Sequence, residues 1–238
     1  MTPISANLQA VQARIAQAAR AAHRAAEAVT LLAVSKTFGA AQVRECHAAG
    51  QRAFGENYVQ EALDKIAALS ASLIEADIEW HMIGPIQSNK TRAIAEYFQW
   101  AHSVERDKIA QRLNDARPAH LPPLNVCIQV NVSGEASKSG IAPGAQIALA
   151  NAIAGLPRLR LRGLMTIPEP TPDSALRRQR YARLRDMQEH LIARGHPLDT
   201  LSMGMSGDLE DAIAEGATMV RVGTAIFGAR TQSLKAES

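Results

Sequence analysis

Sulfur and aromatic rings are scarce in this 238-residue chain, which has two cysteines, Cys46 and Cys127, and only 4% Phe, Trp and Tyr. Two distant cysteines exclude a disulfide framework, and without a CxxC or His-x-His neighbour they give no metal-site spacing, so both read as small buried apolar groups in a reduced compartment. No apolar run approaches the ~18 residues of a membrane span. The opening MTPISAN has neither a basic n-region nor an apolar h-region, so a cytoplasmic protein with no membrane partner is expected. Excess charge is slight as well, at +3. The one arginine-rich stretch, Arg158 to Arg185, is poor in aromatics for base stacking and falls mostly on an amphipathic helix, which argues for a solvated face and against a nucleic-acid partner. Linkers, low-complexity runs and internal repeats are absent too, so one domain over residues 1–238 is expected.

What is present is a regular alternation. Ile4, Leu8, Val11, Ile15, Ala18 and Ala22 recur at the three-four spacing of a helical stripe, which predicts an N-terminal helix over about 5–28 with Ser5 as its cap. Short apolar segments then alternate with amphipathic ones: strands are predicted near Leu31–Ser35, Arg52–Gly55, Glu79–Gly84, Trp100–Val104, Asn125–Val132, Leu161–Ile167, Thr200–Met203 and Met219–Val222. Alternating strands and helices imply a parallel sheet. About eight units in some 200 to 250 residues close most naturally into a (β/α)8 TIM barrel, here over about 30–230, with a doubly wound open sheet as the alternative.

In a barrel the active face is the C-terminal end of the strands. Lys36 closes the first predicted strand, where a dry setting lowers an ammonium pKa and frees the amine to attack an aldehyde, the chemistry of a Schiff base. Ser206-Gly207 and Gly223-Thr224 follow the last two strands. Glycine lets backbone N–H groups approach an anion closely and the hydroxyls add donors, so these read as a phosphate cradle. Alternation along Met219–Gly223 puts Arg221 on the face of Met219 and Gly223. So enclosed, it pairs either with a carboxylate such as Glu56 or with a heterocycle nitrogen, which its fixed charge would keep unprotonated.

Seven blocks, LLAVSK, FGENYVQEALDKI, EWHMIGPIQSNK, NVSGEASKSGI, RLRGLMTIP, LSMGMSGDLEDAI and MVRVGTAIFGAR, resemble in this order the pyridoxal 5′-phosphate homeostasis protein family, from about Leu31 to Arg230. The resemblance implies the fold of the N-terminal domain of alanine racemase, and pyridoxal phosphate bound as an internal aldimine on Lys36. It also implies that Ser206, Gly207, Gly223 and Thr224 hold the phosphate, that Arg221 faces the pyridine nitrogen, that Asn57 partners the ring hydroxyl or a neighbouring loop, and that His81 and Met165 line the ring pocket. No metal is implied. Lys138, in SKSG, is a candidate secondary or transfer site for the aldehyde.

Two function classes follow. One is a non-enzymatic binder that serves pyridoxal phosphate and amino-acid homeostasis and hands cofactor to dependent apoenzymes. The other is a racemase-like or decarboxylating enzyme. Racemase-like enzymes add a β-rich second domain with a further catalytic base and a dimer interface, and the length of this chain favours the binder and a monomer. A sugar-phosphate isomerase on the same barrel would leave Lys36 and Arg221 as ordinary charges.

Overall fold

The structure is a computed structural model and describes residues 2–70, 77–134 and 139–229. Lys138 lies outside the described residues. The chain opens with α1 (Pro3–Ala21) and then alternates β1 (Thr30–Val34), α2 (Ala40–Ala48), β2 (Ala53–Glu56), α3 (Val59–Ser70), β3 (Glu79–Met82), α4 (Thr91–Tyr97), β4 (Trp100–Val104) and α5 (Asp107–Ala116). It continues with β5 (Leu124–Gln129), α6 (Gln146–Ala154), β6 (Leu159–Met165), α7 (Ser174–Ile192), β7 (Thr200–Ser202), α8 (Leu209–Ala214), β8 (Met219–Val222) and the short α9 (Thr224–Phe227).

All eight strands pair in parallel in sequence order, and β1 closes on β8 with Leu32 opposite Arg221 and Ala33 opposite Val222. The closed ring settles the architecture as a TIM barrel with an additional N-terminal helix and removes the open-sheet alternative. Side chains alternate across it as the pleat requires. Leu32, Val34, Ala53, Ile83 and Met219 form one apolar cluster and Trp100, Cys127 and Met165 another. The opposite faces, with Leu31, Ala33, Phe54, Val220 and Val222, pack with the helices.

The N-terminal helix differs from its expected span. Thr2, not Ser5, caps it: its Oγ1 accepts from Ser5 N at 3.3 Å, and Pro3, which has no N–H to satisfy, occupies the first turn. The helix ends at Ala21, His23 turns the chain with φ 55°, and only Ala26–Ala28 winds again, as a 3₁₀ turn. Its apolar stripe, Ile4 to Ala19, lies against α8 and α9. Four of the five arginines of α7 pair with carboxylates, Arg177 with Asp211 at 2.6 Å, Arg178 and Arg185 with Glu215 at 2.7 Å and Arg180 with Glu169 at 3.1 Å, while Arg183 donates to Val132 O. Among the described residues, no helix is long and apolar enough to cross a membrane.

Candidate functional site

Lys36 sits half-buried in the turn that follows β1, and the residues on either side of it are fixed. Ser35 is fully buried: its N–H donates to Gly55 O at 3.0 Å and its hydroxyl to Glu56 Oε1 at 2.5 Å. Lys65, on α3, donates its ammonium to Ser35 O at 2.9 Å and to Glu56 Oε1 at 2.7 Å. Burial pushes the Glu56 carboxyl pKa up, opposed by Lys65 and by the Ser35 hydroxyl. On the other side, Thr37 adopts φ 69°, a left-handed conformation that a β-branched residue occupies only under constraint. Its N–H donates to Glu61 Oε2 at 3.0 Å, and Phe38 stacks on Phe227 of α9 with ring centroids 5.1 Å apart.

That stack brings the Lys36 turn to the last two strand ends, which meet each other as Arg221 N donates to Gly204 O at 3.0 Å. Gly204 holds φ 93°, and a Cβ there would lie 2.5 Å from that of Ala212, so only glycine fits. A Cβ on Gly223 would come within 3.0 Å of Val34 O, whereas one on Gly207 would meet nothing within 4 Å. Gly223 is thus pressed onto β1 beside the Lys36 turn while Gly207 faces open space. Among the described residues no intramolecular acceptor takes up the backbone N–H groups of Ser206, Gly207, Thr224 or Ala225. The N-terminal helix braces both loops: Arg14 Nη2 donates to Ser206 O at 3.2 Å and Asn7 Nδ2 to Ile226 O at 3.0 Å.

Arg221 is buried, and among the described residues no carboxylate, Glu56 included, is its hydrogen-bond partner. Nη1 donates to Ser202 O at 2.6 Å and Ser202 Oγ at 2.8 Å, and Nη2 to Thr166 O at 2.8 Å. Burial lowers its pKa. Three of its five N–H groups are engaged by these oxygens, which leaves two donors.

The three remaining candidates divide. Asn57 lines a cavity of about 150 Å³ with Ile83, Gly84, Pro85, Gln129 and Ile167. His81 does not reach this cavity. Fully buried, it stacks on Trp100 at 5.3 Å and its Nδ1 lies 2.9 Å from His102 Nε2. Met165 is likewise fully buried, against Trp100 and Cys127. Lys65, Ser202, Thr166 and His102 were not expected to serve the site. For Lys65 a signal exists: it interrupts the apolar face of Ala62, Ile66 and Leu69 on α3, where a lysine needs a buried partner.

The barrel and its mouth define a class of protein. The family described as Alanine racemase, N-terminal domain, matches residues 6–231. Within that class the chain belongs to the pyridoxal phosphate homeostasis protein family. It is 63% identical to the pyridoxal phosphate homeostasis protein of Pseudomonas aeruginosa, over 97% of this chain and 97% of that protein. The protein of the same name from Escherichia coli K12 is 53% identical over 99% of this chain and 100% of its own length. The solved structure of PipY from Synechococcus elongatus with PLP bound superposes with a TM-score of 0.76 at 39% identity, covering 84% of this chain and 93% of that one.

Proposed function

We propose that this protein holds pyridoxal 5′-phosphate at the C-terminal mouth of its barrel, covalently through Lys36 Nζ, and serves cofactor and amino-acid homeostasis without steady catalytic turnover. The observation that carries the reading is the convergence of three matching groups: an amine on a fixed turn, a set of open backbone N–H groups, and an enclosed guanidinium with donors to spare. Ser206, Gly207, Gly223 and Thr224 take the phosphate, with the Ser206 and Thr224 hydroxyls adding to the open N–H groups. When bound, the cofactor supplies an aldehyde that captures amines reversibly. The Ser35–Glu56–Lys65 cluster holds the backbone next to Lys36, so its amine approaches from a defined direction. Arg221 directs a donor to the pyridine nitrogen and, being permanently charged, keeps that nitrogen from taking a proton. Asn57 lines the entrance beside the ring.

An unprotonated ring nitrogen is a poor electron sink, which favours holding and release over carbanion chemistry. Relatives matched over nearly their whole length are named for homeostasis, which favours the same side. Dependent apoenzymes are the recipients in this reading, and the protein acts as a monomer. Incubation of the loaded protein with L-alanine in deuterated water tests it. The expected result is no α-proton exchange beyond that of free pyridoxal phosphate, and rapid exchange that disappears in Lys36→Ala makes the protein an enzyme.

A further inference from the structure

A line of polar side chains crosses the barrel interior from the N-terminal rim to Arg221. Glu79 begins it at the rim, where its side chain is 46% exposed, accepting from Trp100 Nε1 at 2.7 Å and lying 3.4 Å from His81 Nε2. His81 Nδ1 is 2.9 Å from His102 Nε2, His102 Nδ1 is 2.9 Å from Ser202 Oγ, and Arg221 Nη1 donates to that same oxygen at 2.8 Å. His81, His102 and Ser202 are fully buried.

The Arg221 end dictates the direction of the bonds that lead away from it. A guanidinium only donates. Desolvation pushes both imidazole pKa values down, with Glu79 opposing in part at His81 and Arg221 reinforcing at His102, so each ring is neutral with one N–H. Hence the Ser202 hydroxyl, whose oxygen accepts from Arg221 and whose proton has no other acceptor among the described residues, donates to His102 Nδ1. His102 gives Nε2–H to His81 Nδ1, and the His81 Nε2–H faces Glu79 Oε2 at 3.4 Å without forming a hydrogen bond. Reversing both rings would leave the buried Ser202 hydroxyl proton without an acceptor among the described residues, and reversing one alone would set two lone pairs or two N–H groups against each other. Hydrogen bonds aligned in one direction polarise and strengthen one another.

We propose that His81, His102 and Ser202 form a one-directional hydrogen-bond relay that positions Arg221 for the ring nitrogen of the bound cofactor. The relay rests on the pyridoxal phosphate reading for its purpose but not for its existence. All three are positioning residues, and Ser202 is the joint, since it holds Arg221 by its carbonyl and its hydroxyl at once.

Side-chain ¹⁵N NMR of the unliganded protein reads the relay directly. Both histidines are expected neutral with the proton on Nε2, and a proton on Nδ1 of either ring overturns the assignment. Ser202→Ala should move the His102 Nδ1 signal to that of an unbonded nitrogen, with Ser202→Thr restoring it. An unmoved His102 signal in Ser202→Ala breaks the relay at that point. For the link to the cofactor, Ser202→Ala should bind pyridoxal phosphate up to about tenfold more weakly, the loss of one hydrogen bond, yet bind the analogue with carbon in place of the ring nitrogen as well as wild type does. Equal losses for both ligands overturn the positioning role. A wild-type protein that binds no pyridoxal phosphate overturns the cofactor reading and the role of Arg221 with it, and the tautomers of the unliganded protein separate that failure from failure of the relay.

Discussion

Ser206 offers the cleanest single-residue test of the phosphate cradle, because among the described residues its hydroxyl and the open N–H groups around it have no other intramolecular duty. A charge-assisted hydrogen bond contributes roughly 1.5 to 3 kcal/mol, so Ser206→Ala should weaken pyridoxal phosphate by about 10- to 150-fold and unphosphorylated pyridoxal hardly at all. Competition binding with the two vitamers decides the matter, and equal losses would make Ser206 structural. The cysteines are the opposite case. Cys46 and Cys127 are fully buried, and desolvation pushes both thiols up to about 12. Thiolate is the reactive form. A disulfide reagent at pH 8 should therefore label neither until the protein unfolds, and prompt labelling of the native protein would contradict this burial.

At the scale of elements, the Lys36 turn depends on three that meet behind it: β1 through Ser35, β2 through Glu56 and α3 through Lys65. Removing one partner of a buried ion pair costs about 3 to 5 kcal/mol, because the other charge is stranded. Lys65→Met should therefore lower the urea midpoint strongly at pH 8. The loss should shrink toward pH 5 as Glu56, whose pKa burial already raises, takes a proton. A loss independent of pH would place the cost in packing alone. The strand order was readable from sequence because each strand is a short apolar run closed by polar residues, and period-2 alternation correctly put Arg221 inside with Met219. The start of α1 was misread because the stripe beginning at Ile4 drew attention to Ser5, while Pro3 favours the turn before it. The relay and the Arg221 partners were not readable: His102 and Ser202 are 100 residues apart, and only closure of the ring sets them 2.9 Å apart.

For the whole molecule, the closed barrel buries two imidazoles that an unfolded chain exposes to water, and this couples stability to pH. With their pKa values depressed below 6.5 in the fold, His81 and His102 bind fewer protons in the native state than in the unfolded one as pH falls through that value. Stability is then lost on acidification, by about 1.4 kcal/mol per pH unit for each group over the window between its folded and unfolded pKa. Urea midpoints should fall from pH 7.5 to 5.5, and the slope should flatten in His102→Asn; an unchanged slope would mean that the native protein protonates this pair. The central claim is that the barrel holds pyridoxal phosphate on Lys36, and the most direct measurement is borohydride reduction of the loaded protein followed by peptide mapping. The account expects the reduced cofactor on the peptide that contains Lys36 and its loss in Lys36→Ala, whereas a wild-type adduct found chiefly on Lys138, or on no lysine, would contradict it.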